Sequence, residues 1–100
     1  MGQVVHVVLV EWADAQEDAA GEAERLVDAN LRPLPGVLAV DRGPSVSGEG
    51  LEDGFDWALV IRFASEQALA DYLPHPDHVV VGSHLRAHSA RLVVFDLAAT

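Results

Sequence analysis

Residues Gln3 to Trp12 are apolar at nearly every position, with Val5, Val7 and Leu9 on one side of an extended chain and Val4, His6, Val8, Val10 and Trp12 on the other. A strand of this kind has no polar face to offer water and needs cover on both sides. Asp14, followed three residues later by Glu17, has the spacing of a helix N-cap and its capping-box partner. Ala19, Ala20, Ala23, Leu26, Val27, the Asn30/Leu31 pair and Leu34 then recur at the three-to-four spacing of one helical face. Pro33, Pro35 and Gly36 stop that helix. A second strand is expected from Val37 to about Arg42, followed by a Gly/Ser/acidic stretch, Gly43 to Gly54, that reads as an exposed, mobile loop. From Phe55 to Ala64 the pattern alternates: Phe55, Trp57, Leu59, Ile61 and Phe63 share one face, Asp56, Ala58, Val60 and Arg62 the other. Ser65 is placed to cap a short helix ended by Pro74, and Pro76 suits the first position of a helix running to about His88. Arg91 to Leu97 closes the chain as a fourth strand.

This order, βαββαβ with the second helix broken at His75-Pro76, predicts an α+β chain with the ferredoxin-like pattern and a four-stranded antiparallel sheet. No linker, repeat or low-complexity run divides it, so residues 1–100 read as one domain. A chain of 100 residues buries only roughly 60–70% of the surface its unfolded form exposes. Helices cover one face of such a sheet. The other, carrying Val5, Val7, Leu9, Ala58 and Val60, is too apolar to stay wet, which predicts a homodimer with two sheets face to face.

Composition narrows the chemistry. Sixteen acidic residues against six basic ones give a net charge of −10, which repels phosphate backbones and anionic lipid and argues against nucleic-acid or membrane partners. Half the residues are hydrophobic, enough for a packed core. With no cysteine, thiolate nucleophiles and iron–sulfur sites are excluded. No apolar run approaches the ~20 residues of a membrane span and no signal-peptide layout opens the chain, so a soluble, cytoplasmic protein is expected.

The remaining candidates are one tyrosine and five histidines. His84 and His88 stand at i,i+4 spacing, but without the His-Glu-x-x-His pattern of a helical zinc site they read as solvated or hydrogen-bonded helix residues, and no metal is expected. Gly48-x-Gly50 sits in a loop with no helix after it, so no phosphate-cradling motif and no organic cofactor is expected either. His75, between two prolines, is placed to start the helix and cap its free backbone donors, and is also a candidate lining residue. His78 falls in the first helical turn, where backbone N–H groups disfavour an imidazolium, leaving the neutral ring that a general base requires. Tyr72 precedes the proline corner and could donate a hydrogen bond to an oxygen gaining charge, or simply pack. His6 reads either as a satisfied core residue or as part of a pocket beside that corner. Phe55 and Trp57 read as core or as the apolar wall of a ligand cavity.

The segment Tyr72-Leu73-Pro74-His75-Pro76-Asp77-His78 resembles the Tyr-x-x-His-Pro-x-His segment of the stress-responsive dimeric α/β-barrel (Dabb) family. Val4 to Leu9, Leu34-Pro35-Gly36-Val37, Gly54 to Val60 and Arg91 to Asp96 match in the same order, so the resemblance spans nearly the whole chain. It implies a dimeric α/β barrel. Most members have no assigned activity, and a few are polyketide cyclases, in which the residues matching Tyr72 and His78 carry catalysis and a histidine matching His6 lines the site. Those cyclases have histidine where this chain has Trp57, a departure that reshapes the pocket. Two readings follow. One is a cofactor-independent polyketide cyclase with His78 and Tyr72 as catalytic residues and His6, Phe55, Trp57 and His75 against a small hydrophobic or polyketide-like ligand. The other is a non-catalytic, stress-associated ligand-binding dimer.

Overall fold

The structure, a computed structural model, describes residues 2–13 and 18–99. Its elements are β1 (Val4–Trp12), α1 (Ala19–Asn30), β2 (Val37–Pro44), β3 (Trp57–Phe63), α2 (Glu66–Tyr72), α3 (Pro76–His88) and β4 (Ser89–Ala98). The sheet is antiparallel with strand order β2-β3-β1-β4, the ferredoxin-like arrangement. The Asp14/Glu17 capping box lies outside the described residues. Three strands depart from their expected bounds: β2 runs on to Pro44, β3 starts at Trp57 rather than Phe55, and β4 starts at Ser89, two residues before Arg91. No helix among the described residues is long and apolar enough to cross a membrane.

Strand alternation decides what each face meets. Val4, His6, Val8 and Val10 of β1 are buried together with Trp57, Leu59, Ile61 and Phe63 of β3, and these form the floor on which the helices sit. Helix α1 contributes Ala19, Ala23 and Val27 at intervals of four, continued by Leu31 and Leu34, and α3 contributes Val81 and Leu85. Each fully buried side chain of the size of Phe63, Leu59 or Ile61 stabilises the fold by about 1.5–3 kcal/mol. Arg42 of β2 reaches Asp28 of α1 at 2.8 Å and so ties the outer strand to the helix layer.

The opposite face is uncovered. There Val7 lies between Val60 and Phe95, Leu9 between Ala58 and Val93, and Val5 beside Leu97. Phe95 is 63% exposed, Val93 and Leu97 43% each. A stripe this apolar is more than a lone chain ordinarily leaves to water.

Between β2 and β3 the chain is exposed, as its Gly/Ser/acidic composition suggests, yet it is cross-tied. Ser45 Oγ donates to Glu52 Oε2 at 2.5 Å, and Arg91 of β4 binds Asp53. Asp53 and Gly54 have positive φ, so the backbone turns sharply before β3 begins.

Candidate functional site

The site is built where β1 passes beneath the corner between α2 and α3. Ser65 caps α2 by accepting from the Ala68 N–H at 3.1 Å. Pro74 lacks the N–H that would continue the helix, and α3 restarts at Pro76. His75 is the N-cap of α3: its Nδ1 accepts from the Asp77 N–H at 3.1 Å. The capping role read from its place between two prolines is therefore observed, and the ring is spent on it. The corner brings the last residue of α2, Tyr72, against the third residue of α3, His78, with ring centroids 4.4 Å apart.

His78 Nδ1 lies 2.7 Å from the Leu73 carbonyl oxygen. A carbonyl can only accept, so Nδ1 carries the hydrogen, and a neutral ring then keeps its lone pair on Nε2. Burial holds the His78 pKa below its ordinary value, with the His6 ring and the Arg86 guanidinium pushing the same way and the Leu73 hydrogen bond opposing them. The direction is the one expected from its helix-start position; the leading cause is burial. Tyr72 is 5% exposed, and burial raises its phenol pKa far above the ordinary range, so it stays protonated across physiological pH.

His6 supplies the floor. It is buried, its ring is 5.9 Å from Tyr72 and 6.1 Å from Phe63, and its Nδ1 lies 2.5 Å from Asp96 Oδ1. Asp96 stands directly across the β1–β4 ladder from His6. A carboxylate there can only accept, which fixes Nδ1 of His6 as the donor and locks the ring in place. His6, Tyr72 and His78 together line a cavity of about 160 Å³, closed by Leu59, Leu85 and Leu92 and reached by Arg86 and Val94.

Three expected lining residues lie elsewhere. Trp57 faces the same side of the sheet as His6 but at the other end of it, opposite Val10; its ring packs on Trp12 and its Nε1 donates to Glu24 of α1 at 3.1 Å. Phe55 precedes β3, so strand alternation does not reach it. The turn at Asp53-Gly54 sends its ring beneath the Arg91 guanidinium, and Phe55 and Trp57 border one cleft of about 330 Å³, with Leu9 and Ala58, separate from the cavity at His6. His75 borders a third hollow, between the α1–β2 turn and α2. His84 and His88 are hydrogen-bonded to the carbonyls of Ala19 and His84 respectively, and no cluster of three metal-ligating side chains occurs among the described residues.

Two residues of the site went unread in the sequence. Asp96 carries no local signal, since its partner is 90 positions away. Arg86 could have been found, because it stands eight residues after His78 and thus on the same face of α3.

The sequence and the fold both have matches among known proteins. Residues 4–99 match the model of the Stress responsive A/B Barrel Domain (Dabb), and the chain belongs to that family. It is 28% identical over 94 residues to olivetolic acid cyclase of Cannabis sativa, covering 93% of each chain. It is 30% identical to the stress-response A/B barrel domain-containing protein HS1 of Arabidopsis thaliana, covering 99% of this chain and 92% of that one. A dimeric ferredoxin-like protein of unknown function from Jannaschia sp. CCS1 superposes with a TM-score of 0.88 at 26% identity, over 98% of this chain and all of that one.

Proposed function

We propose that this protein is a cofactor-independent cyclase that closes a ring in a short poly-β-carbonyl substrate by intramolecular aldol or Claisen condensation. The observation that carries this reading is the pairing, in one cavity, of an imidazole whose Nδ1 is occupied by the Leu73 carbonyl with a buried, protonated phenol packed against it at a tilt of 49°. Nε2 of His78 takes a proton from a carbon between two carbonyls, giving an imidazolium and an enolate. The enolate carbon attacks a second carbonyl of the same chain and Tyr72 donates to the oxygen on which charge gathers; in an aldol closure the imidazolium returns its proton to the new alkoxide, and in a Claisen closure the tetrahedral oxyanion re-forms its carbonyl by expelling the substrate's thiolate, which takes that proton. General-base and oxyanion-donor contributions are about 10²–10⁴ and 10²–10³ respectively. His6, held by Asp96, shapes the floor on which the chain folds, a proximity effect. The identity to olivetolic acid cyclase supports the same chemistry. A cavity of about 160 Å³ is below the ~300–1,000 Å³ of most small-molecule sites, so the substrate is short.

The small cavity also favours a second reading, a stress-associated binding protein for a small ligand, in line with the similarity to HS1. Turnover of a short 3,5-diketo thioester by the parent and by His78→Ala separates the two. Ring closure lost in the variant supports the cyclase, whereas equal rates in both rule it out.

We further infer that the working form is a homodimer joined through the open sheet face, supported by the exposure of Phe95, Val93 and Leu97 and by the dimeric state of the Jannaschia protein. Phe95→Asp places a charge in the centre of that stripe and is expected to yield monomers in light scattering at micromolar concentration. A parent that is itself monomeric refutes the interface.

A further inference from the structure

We propose that His84 and His88 form a binding site for a divalent transition-metal cation of the copper-to-zinc kind. The site stands apart from the Tyr72/His78 cavity, whose lining includes neither ring.

The spacing of four alone says little, since any helix puts such a pair on one face. What the structure adds is how the two rings are held. His84 Nε2 lies 2.9 Å from the Ala19 carbonyl oxygen, and His88 Nδ1 lies 2.8 Å from the His84 carbonyl oxygen. A carbonyl only accepts, so each of these nitrogens carries the hydrogen. Each neutral ring therefore keeps one lone pair, on Nδ1 of His84 and on Nε2 of His88. A ring N–H tied to a backbone carbonyl is the outer-shell arrangement that fixes the tautomer and orientation of a metal-bound histidine and raises its basicity. Here two neighbouring rings have it at once. Both are half-buried, with centroids 4.3 Å apart and planes inclined by 36°. From there a modest rotation brings both lone pairs to one ion at the ~2.0–2.1 Å of a zinc–imidazole bond.

The surroundings suit a cation. The chain carries a net charge of −10. Glu22, one turn into α1 from Ala19, has its pKa lowered chiefly by the hydrogen bond to Arg25, and the charge of His84 adds to it, so a carboxylate lies within electrostatic reach of the pair. No third metal-ligating side chain stands with the two rings among the described residues, so water fills the other positions of the ion and the site is open. Two imidazole nitrogens favour copper, nickel and zinc over magnesium and calcium, which seek oxygen. Position also decides what a bound ion does. The His88 carbonyl accepts from the Ala13 N–H at 2.8 Å, just past β1, while the His84 ring holds the first residue of α1. An ion that fixes both rings stiffens the junction of α3 with the end of β1 and the start of α1.

The test titrates zinc, copper(II) and magnesium salts separately into the full chain. Zinc, being diamagnetic, is expected to shift the ring Cε1–H NMR signals of His84 and His88 ahead of those of His6, His75 and His78, and to raise the thermal midpoint. Copper(II) should bind more tightly than zinc, and magnesium should leave both signals and midpoint in place. His84→Gln and His88→Gln each remove one ligand while keeping an amide that can donate to the same carbonyl. In calorimetry each should weaken zinc binding by at least the ~10-fold that loss of an outer-shell partner costs. Should His84→Gln fail to fold, His88→Gln decides alone, because that ring bonds only within its own helix. Zinc that leaves the His84 and His88 signals unmoved, or moves another histidine first, overturns the site. So does an affinity that His88→Gln retains, or a magnesium response equal to that of zinc.

Discussion

The two ends of the helix-covered sheet face are made from the same strands and serve opposite ends. At one, Trp57 is 2% exposed, packs on Trp12 and spends its N–H on Glu24, so that aromatic volume is used to fill space. At the other, His6, Tyr72 and His78 converge without filling it, and a cavity remains. The covering element makes the difference. Over Trp57 lies α1, a continuous helix of 12 residues, whereas over His6 the cover is the α2–α3 corner, interrupted by Pro74 and Pro76. A corner cannot lay down an unbroken row of side chains, and a cavity between helix layer and sheet is left beneath it.

That contrast predicts different failures at the two ends. His78→Ala should lower ring closure by about 10²–10⁴ in kcat/KM, the range of a lost general base, with stability to denaturant within about 1 kcal/mol of the parent. Trp57→Ala should do the reverse, costing about 3–5 kcal/mol in urea unfolding and leaving the chemical step intact wherever the protein remains folded. If Trp57→Ala abolishes turnover in folded protein, the two ends are not separate. Tyr72→Phe keeps the ring that packs on Phe63 and His78 and removes only the donor, so the rate should fall by roughly 10-fold to 10³-fold with little change in thermal midpoint.

The smallest effect is on pH dependence. The His78 pKa is lowered from 6.5, so kcat/KM should rise with pH along an acid limb whose midpoint lies below 6.5. The raised Tyr72 pKa places any alkaline loss above pH 10. Stability follows the same sign. The unfolded chain protonates this imidazole near 6.5 and the folded chain only at lower pH, so the contribution of His78 is present above 6.5 and lost as pH falls through the folded value. A rate profile whose acid limb sits at or above 6.5 removes His78 as the base.

Much of this was legible from spacing alone. The alternation in β1 and β3 is local, because neighbouring residues on a strand must point apart, and it correctly separates the buried row of Val4, His6, Val8 and Val10 from the open row of Val5, Val7 and Leu9. The proline corner was legible for the same reason: Pro74 and Pro76 act on their own backbone, and His75, Ser65 and the length of α3 followed from them. Phe55 marks where such reasoning ends. Its apolar side chain continues the β3 pattern, but Gly54 and Asp53 take positive φ just before it and turn it to the other side.

What only the tertiary structure decided is who meets whom. Asp96 reaches His6 because β4 pairs with β1 in one register, and a shift of one residue would send it to the opposite face. Trp57 and His6 share a face yet lie at opposite ends of it, because β3 runs antiparallel to β1 and sets Trp57 against Val10 and Ile61 against His6. Arg86 lines the cavity because α3 lies across the sheet with its His78–Gly82–Arg86 face toward that gap. Periodicity determines the face on which a side chain emerges; register and the way a helix crosses the sheet determine its neighbours, and those depend on contacts between residues far apart in the chain.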